Sequence, residues 1–278
     1  MSALPIPEKL YGIIGHPLAQ TLSPLLHNWG FVRLGARAAY LAFPTPPELL
    51  HAFIQAVRTL PIAGLSVTIP HKETVIPLLD GVSDEAQSAH AVNTLVWEDG
   101  RLVGHNTDVT GFVAPLLERT SKGSGPQSAL VLGAGGAAKA VLAGLLKLGI
   151  TDIVVTNRTL ERAKRLAEQF HVAAAIWEER TQIPADLVVN ATPMGMKGKA
   201  EGESPLPPDA WKPGQTAYDL VYNPRDTLFL REARRAHAQT IDGLAMFAAQ
   251  GAAQFKLWTG LDLPMDEVTE LLARALYA

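Results

Sequence analysis

The sequence contains no cysteine and relatively few charged residues. Without cysteine, the 278-residue chain cannot form disulfide bonds, use thiolate chemistry or bind zinc through sulfur. Charged residues make up 18% of the chain, and the formal net charge is −3. This balance gives no electrostatic reason to expect nucleic acid or an anionic membrane as a partner. The eight histidines are scattered without ligand spacing, so we also predict no metal site.

Long hydrophobic runs are absent as well. No apolar segment reaches the roughly 18–20 residues that span a bilayer, although 47% hydrophobic residues predict a sizeable core. Residues 1–5 lack the basic stretch and apolar segment of a signal peptide. We therefore expect a cytoplasmic protein, as a monomer or a homodimer. The length of 278 residues allows one large domain or two ordinary ones.

Segments typical of strands alternate with segments typical of helices along most of the chain. This alternation predicts an α/β fold with mostly parallel sheets covered by helices. The rhythm restarts after the polar, glycine-rich segment 121–126, which we interpret as a linker between two βα blocks. Strands 91–98 and 102–105 read as a hairpin that turns at Asp99-Gly100. The other predicted strands are 10–15, 38–43, 64–68, 129–132, 152–156, 185–190 and 216–220, and the predicted helices are 24–34, 47–58, 70–79, 108–118, 135–148, 160–169, 226–236, 244–258 and 265–277.

A glycine-rich turn follows the strand at 129–132 directly and opens the next helix. This setting matches the G-x-G-x-x-G/A pattern of dinucleotide-binding proteins, in which glycines let the backbone approach a pyrophosphate. The free N–H groups and positive potential of the helix N-terminus then hold the phosphates. The residues concerned are Gly133, Ala134, Gly135, Gly136, Ala137 and Ala138.

The end of the following strand indicates which dinucleotide binds. An NAD site would carry a carboxylate there, which accepts a hydrogen bond from the ribose 2′-OH. This chain has Asn157, Arg158 and Thr159 instead, with Arg162 on the next helix. A guanidinium group suits a 2′-phosphate because it donates paired, charge-assisted hydrogen bonds. The sequence therefore predicts NADP, while an ordinary solvated helix start is the simpler interpretation of the same arginines.

Three short polar motifs of the first block lie at the ends of predicted strands, where open α/β sheets bind ligands. Taken alone, Lys72 reads as a surface lysine, Asn93 as a turn residue and Asp108 as a helix cap. Together, Lys72 and Asp108 form an ammonium–carboxylate pair able to hold a hydroxyl and transfer its proton. The first turn of the helix predicted at 70–79 is an unfavourable place for the Lys72 ammonium group, whereas a nearby Asp108 carboxylate would stabilise its charge, so the two effects oppose each other. The motifs are Val67-Thr68-Ile69-Pro70-His71-Lys72, Ala91-Val92-Asn93-Thr94 and Gly104-His105-Asn106-Thr107-Asp108.

With these motifs, the chain resembles the shikimate dehydrogenase family almost from end to end. The resemblance begins at Gly12-Ile13-Ile14-Gly15 and extends to Asp242-Gly243-Leu244-Ala245-Met246. It implies an NADP-dependent oxidoreductase that reversibly reduces 3-dehydroshikimate to shikimate in chorismate and aromatic amino-acid biosynthesis. It also implies that Lys72 and Asp108 are the catalytic pair.

The resemblance further implies the domain layout and the other site residues. A domain of residues 1–107 and 243–278 would bind substrate, and a Rossmann-type domain of residues 108–242 would bind NADP, with the active site in the cleft between them. The implied substrate-binding residues are Thr21, Ser23, Ser66, Thr68, Asn93, Tyr222 and Gln250. The implied cofactor-binding residues outside the glycine turn and the Arg158 segment are Ala191, Thr192, Leu220, Gly243 and Met246.

Two positions depart from the usual family pattern. Thr21 stands where a serine is common and adds a methyl group, and Ser66 stands where an asparagine is common and lacks its amide. Both changes could alter the preference for ring substituents, so dehydrogenation of quinate or aminoshikimate is an alternative. A non-catalytic NADP-binding sensor is an alternative of another class.

Overall fold

The computed structural model describes residues 6–18, 21–120, 125–198 and 200–277. The chain divides into two compact units, the first formed by Met1–Thr107 and Gln250–Leu272 and the second by Asp108–Ala249 and Ala273–Ala278. The division after residue 107 coincides with the boundary expected from the sequence. Segments 243–249 and 273–278, expected in the first domain, belong to the second unit.

Helices and strands alternate through most of the chain. The strands are β1 Lys9–Gly15, β2 Ala38–Pro44, β3 Ile62–Val67, β4 Gly81–Val82, β5 Thr94–Glu98, β6 Arg101–His105, β7 Ser128–Leu132, β8 Asp152–Asn157, β9 Ala173–Ile176, β10 Leu187–Asn190, β11 Thr216–Asp219 and β12 Gln239–Ile241. The α-helices are α1 Ser23–Arg33, α2 Leu50–Val57, α3 His71–Thr74, α4 Asp84–Ser88, α5 Thr107–Thr120, α6 Gly136–Lys147, α7 Leu160–Phe170, α8 Leu228–Arg235, α9 Gly243–Thr259 and α10 Met265–Tyr277. In the part of the chain covered by the structure, none of these helices combines the length and apolar character needed to cross a membrane.

The first unit is built on a six-stranded mixed sheet with the order β2-β1-β3-β5-β6-β4. The β1/β2, β1/β3 and β4/β6 pairs are parallel, whereas β3/β5 and β5/β6 are antiparallel. The antiparallel β5/β6 pair is the predicted hairpin. Its turn residues Asp99 and Gly100 both have positive φ, at 49° and 76°, as a tight two-residue hairpin turn requires.

Apolar residues of the central strands and of α2 form the core of the first unit. Ile14, Leu65 and Leu95 come from three neighbouring strands, and Ile54 and Val57 come from α2. All five side chains are almost completely buried. Because this burial fixes which face of each strand points inward, it also fixes the register in which the strand ends meet.

The prediction of a continuous helix over residues 70–79 is wrong. Only one α-helical turn forms, α3, and a 3₁₀ turn follows at Ile76–Leu78. Pro77 has no N–H to donate to a carbonyl one turn earlier, so the α-helical ladder cannot continue through this position. Pro70, predicted as the first helical residue, lies just before α3.

The second unit contains a six-stranded parallel sheet with the order β12-β11-β10-β7-β8-β9. Counted from β7, this is the 6-5-4-1-2-3 order of a dinucleotide-binding Rossmann fold, which confirms the predicted class. Leu130, Val188 and Phe229 are among its core residues. Residues 121–124 of the predicted linker lie outside the described residues.

Several short elements escaped prediction because they carry weak patterns. β9 is rich in alanine, which is uncommon in strands, and most of its side chains are exposed. β12 has three residues and β4 has two, too few for an alternating pattern to be recognised.

Asp219, the last residue of β11, is a buried carboxyl group that joins the ends of two strands to the next helix. It accepts hydrogen bonds from Thr227 Oγ1 (2.5 Å), Asn190 Nδ2 (2.9 Å) and the Val221 N–H (3.0 Å). Thr227 in turn caps α8 by accepting from the Leu230 N–H. Burial raises the pKa of Asp219 to about 7, against the effect of its three donors.

This raised pKa predicts a pH-dependent stability. Between the unfolded pKa of about 4 and the folded pKa of about 7, the native state binds the extra proton, so the free energy of unfolding falls as pH rises. The loss from this one group is at most about 1.4 kcal/mol per pH unit. Urea denaturation between pH 4.5 and 8 should show a smaller decline for D219N, because asparagine is neutral throughout. Exposed Asp209, changed to Asn, serves as the control. Parallel stability profiles for D219N and the wild type would contradict the prediction.

Candidate active site

The end of β3 brings two of the polar motifs together in the first unit. The Val67 N–H donates to the Asn93 carbonyl (2.7 Å), and the Val92 N–H donates to the Lys72 carbonyl (2.7 Å). The Thr68 N–H donates to the Ile14 carbonyl at the end of β1 (2.9 Å). These backbone bonds hold Thr68, Lys72 and Asn93 beside one another, as the strand-end argument predicts.

Lys72 is half-buried in the single turn of α3. Because a one-turn helix has almost no macrodipole, the predicted effect of a long helix N-terminus on the Lys72 ammonium group is absent. The neighbouring His71 is 1% exposed and its Nε2 lies 2.6 Å from the Thr45 carbonyl oxygen. A carbonyl oxygen can only accept a hydrogen bond, so His71 Nε2 carries the hydrogen. This bond holds α3 against Thr45, which assigns His71 a structural role rather than that of a base.

Asn93 connects this cluster to the third motif. The Thr107 N–H donates to Asn93 Oδ1 (2.7 Å), and Asn93 Nδ2 donates to Thr107 Oγ1 (3.0 Å). The Thr94 hydroxyl also donates to Oδ1 (2.8 Å). Asn93 is 2% exposed, so its amide is a fixed part of the site. Asp108 is the next residue after Thr107 and lies in the first turn of α5.

Ser66, predicted to bind substrate, belongs to a buried hydrogen-bond network. Its hydroxyl accepts from the Tyr40 phenol (2.6 Å) and donates to Gln254 Oε1 (2.8 Å). Burial raises the pKa of Tyr40 far above its ordinary range, although the hydroxyls of Ser66 and Ser23 bonded to it oppose this shift. The sequence reasoning missed Tyr40 and Gln254. The available signal for Gln254 was its position one turn after Gln250, on the same face of the helix.

Thr21 and Ser23 lie at the start of α1. Ser23 is buried and is the first residue of the helix, and Thr21 is half-buried just before it. The Ser23 N–H donates to Thr21 Oγ1 (3.4 Å). Since Ser23 also bonds to Tyr40, both hydroxyls belong to the same corner of the first unit as Ser66.

The glycine turn of the second unit has the geometry of a phosphate-binding loop. Gly133 has φ of 111°, and a Cβ there would meet the Ala191 carbonyl oxygen at 2.9 Å, so this position requires glycine. Gly135 and Gly136 lead into α6, and a Cβ on either would meet nothing within 4 Å. The Ala134 N–H donates to Asn157 Oδ1 (3.3 Å). The backbone of this turn is therefore open to a ligand at the helix N-terminus.

Arg158, Thr159 and Arg162 follow β8 beside this turn. All three are exposed, and the Thr159 carbonyl accepts from Asn157 Nδ2 (3.0 Å). Within residues 125–198, neither Arg158 nor Arg162 forms an ion pair with a carboxylate, whereas Lys164 pairs with Glu161. Two uncommitted guanidinium groups at this strand end suit a phosphate ligand.

Two more predicted segments lie at the ends of β10 and β11. The Ala191 N–H donates to the Leu132 carbonyl (2.8 Å), which places Ala191 beside the glycine turn. The Thr192 hydroxyl donates to Asn190 Oδ1 (2.7 Å). A Cβ on Gly243 would meet the Leu220 carbonyl oxygen at 2.6 Å, so glycine lets α9 begin against Leu220. Met246 follows one turn later and is half-buried.

Tyr222 and Gln250 are both half-buried. The Tyr222 ring stacks on Phe247 with centroids 5.1 Å apart, and burial raises its pKa. The Tyr277 hydroxyl donates to the Tyr222 carbonyl. Gln250 lies on α9, where the chain re-enters the first unit. In the described segments no cluster of three or more histidine, aspartate or glutamate side chains has the arrangement of a metal site.

Family models match three parts of the chain. Residues 13–95 match the shikimate dehydrogenase substrate binding domain, and residues 116–194 match shikimate/quinate 5-dehydrogenase. Residues 243–272 match the shikimate 5′-dehydrogenase C-terminal domain. The matched segments include the glycine turn and most of the predicted site residues.

Two curated relatives are similar over nearly their whole length. Shikimate dehydrogenase (NADP(+)) of Oleidesulfovibrio alaskensis is 54% identical, over 98% of this chain and 97% of the relative. The protein of the same name from Maridesulfovibrio salexigens is 46% identical, over 97% of this chain and 98% of the relative.

Solved structures share the fold at comparable coverage. Shikimate 5-dehydrogenase from Thermus thermophilus, in complex with NADP(H) and shikimate, has a TM-score of 0.85 and 41% identity, over 96% of this chain and 100% of that chain. Quinate dehydrogenase from Corynebacterium glutamicum, in complex with NAD, has a TM-score of 0.88 and 31% identity, over 96% of this chain and 99% of that chain.

Proposed function

The chain belongs to the shikimate dehydrogenase family, and from this premise we propose that it catalyses the reversible, NADP-dependent reduction of 3-dehydroshikimate to shikimate. The observation that carries the proposal is the 54% identity to an NADP-dependent shikimate dehydrogenase over 98% of the chain. The reaction would be a step of chorismate and aromatic amino-acid biosynthesis. We also propose that the first unit binds substrate and the second binds NADP.

The second unit supports NADP as the cofactor. The open backbone of Gly135 and Gly136 at the start of α6 would hold the pyrophosphate, and Gly133 keeps the turn close to Ala191. Arg158 and Arg162 would bind the 2′-phosphate, for which a carboxylate at this strand end would be repulsive. Asn157, Thr159 and Thr192 offer polar groups near the same turn.

The first unit supports recognition of a polyhydroxylated ring. Thr68, Lys72 and Asn93 lie together at the end of β3 and would contact ring hydroxyls. The hydroxyls of Thr21 and Ser23 at the start of α1 would donate to the ring carboxylate. Tyr222 and Gln250 are proposed to bind the same ligand, and Leu220, Gly243 and Met246 to lie near the nicotinamide.

Proton transfer to the substrate oxygen is assigned to the pair Lys72 and Asp108. When bound, NADPH supplies the hydride that reduces the C3 carbonyl. Lys72 donates a proton to the C3 oxygen in reduction and accepts it again in oxidation, while Asp108 orients the hydroxyl and holds the ammonium group. Neither residue coincides with the two departures from the family pattern.

A panel of ring hydroxy acids with both nicotinamide cofactors tests the proposed reaction. We expect the highest kcat/KM for shikimate with NADP, because the family relationship and the free arginines favour this pair. Quinate and aminoshikimate, each with NADP and NAD, are the comparisons. A kcat/KM higher for quinate than for shikimate would contradict the proposed substrate and identify the protein as a quinate dehydrogenase. NADPH binding without turnover of any panel member would favour a non-catalytic sensor.

Removal of the Lys72 amine tests the proton transfer. The K72A variant should lose about 10²–10⁴-fold in kcat, with a smaller change in KM, because a positioned proton donor acts mainly in the transition state. Steady-state kinetics of shikimate oxidation measure both constants. K147A removes an exposed lysine from α6 and should match the wild type. A K72A enzyme with near-normal kcat would exclude Lys72 from the chemistry.

A further inference from the structure

A continuous chain of buried hydrogen bonds lies beneath the polar cluster of the first unit. It passes from the Tyr40 phenol through Ser66 and Gln254 to Thr94 and Asn93. All five residues are at most 3% exposed. Buried polar groups are costly unless they are hydrogen-bonded, so a network of this kind holds its members in defined orientations.

The direction of the hydrogen bonds around Gln254 follows from one backbone carbonyl. Gln254 Nε2 lies 3.1 Å from the Asn93 carbonyl oxygen, which can only accept, so this atom is the amide nitrogen. Gln254 Oε1 therefore faces Ser66 Oγ (2.8 Å) and His27 Nε2 (3.3 Å), and both must donate to it. Ser66 has one hydrogen, which this bond uses, so Ser66 accepts from Tyr40.

The other end of the chain fixes the side chain of Asn93. The second hydrogen of Gln254 Nε2 goes to Thr94 Oγ1 (3.0 Å), so the Thr94 hydroxyl donates onward to Asn93 Oδ1. The Thr107 N–H donates to the same Oδ1. Thr107 Oγ1 accepts one hydrogen of Asn93 Nδ2, and no group of the described residues accepts the second.

We propose that Gln254 is a positioning residue that sets the orientation of the Asn93 amide and so presents an N–H donor to a ring hydroxyl of the substrate. This inference rests on the proposed function. Ser66 acts through Gln254 rather than on the ligand, because its single hydrogen is committed.

The alternative orientation of Asn93 shows what Gln254 prevents. If the amide turned over, Nδ2 would face the Thr107 N–H and a Thr94 hydroxyl, and Oδ1 would face the ligand. Two donors would then oppose each other in a buried place, which costs more than a single hydrogen bond contributes. Without Gln254, the Thr94 hydroxyl could reverse and accept from Nδ2, which lowers the barrier to this flip.

The Q254M variant tests the proposal, because methionine fills the same volume and forms none of these hydrogen bonds. We expect KM for shikimate to rise about 5–10-fold, as for the loss of one or two neutral hydrogen bonds. The value of kcat should change less than about 2-fold, because the proton-transferring groups stay in place. Amide hydrogen exchange at Thr107 should accelerate, since its acceptor Asn93 Oδ1 is no longer held.

Two further variants separate positioning from general stability. T94V breaks the same chain one bond nearer Asn93 and should reproduce both effects of Q254M. V268A opens a cavity beside α10, a helix that contributes no residue to the network, and should lower the free energy of unfolding without changing KM. Exchange at Thr107 that accelerates in Q254M and T94V no more than in V268A would overturn the proposal.

The double variant S66A/Q254M tests whether the two residues act as one unit. If Ser66 acts through Gln254, the double variant should raise KM no more than Q254M alone. Additive increases would mean that Ser66 contacts substrate itself and would overturn its assigned role. A wild-type enzyme inactive on shikimate would refute the proposed function, while exchange at Thr107 would still decide whether Gln254 controls Asn93.

Discussion

The first unit depends on the way Asn93 joins the ends of β3 and β6 to the start of α5. Its carbonyl accepts from Val67 at the end of β3, and its N–H donates to His105 at the end of β6. Its side chain accepts from Thr107, the residue before Asp108. Because Val92 bonds to the Lys72 carbonyl and Asn93 bonds to Thr107, these two neighbours hold the turn that carries Lys72 and the residue before Asp108.

The second unit obeys a different constraint, set by backbone rather than by side chains. The turn after β7 needs positive φ and close approach at Gly133, and the start of α9 needs close approach at Gly243. At the same edge of the sheet, the buried Asp219 carboxyl group links the ends of β10 and β11 to Thr227, the cap of α8. The two units therefore position their site residues by different means: the first by a buried polar network, the second by glycine, a parallel sheet and one buried carboxyl group.

The sequence predicted the fold well where patterns were long and repetitive. The Rossmann-type block, the hairpin at Asp99-Gly100 and the long helices follow from apolar periodicity and turn chemistry. It failed at the helix of residues 70–79, where Pro77 overrides a helical apolar pattern, and at β9 and β12, which are short. These failures arise because tertiary pairing, not local preference, creates such elements.

The sequence indicated candidate site residues only where a local motif carries the chemistry. Lys72 and the glycine turn follow strands directly and Asn93 directly precedes β5, so their positions at strand ends could be inferred from the strand pattern. Gln254 is far from them in sequence, and no spacing connects it to Asn93. Its contribution requires the return of α9 to the first unit, which sequence reasoning expected without knowing which side chains would meet.

A crystal structure of the protein with shikimate bound tests the orientation of Asn93 most directly. We expect Asn93 Nδ2 within about 3.2 Å of a ring hydroxyl oxygen, with Oδ1 still accepting from the Thr107 N–H. Shikimate bound without contact to Nδ2, or an Asn93 amide turned so that Oδ1 faces the ring, would contradict the proposed part of Gln254 and Asn93 in substrate recognition.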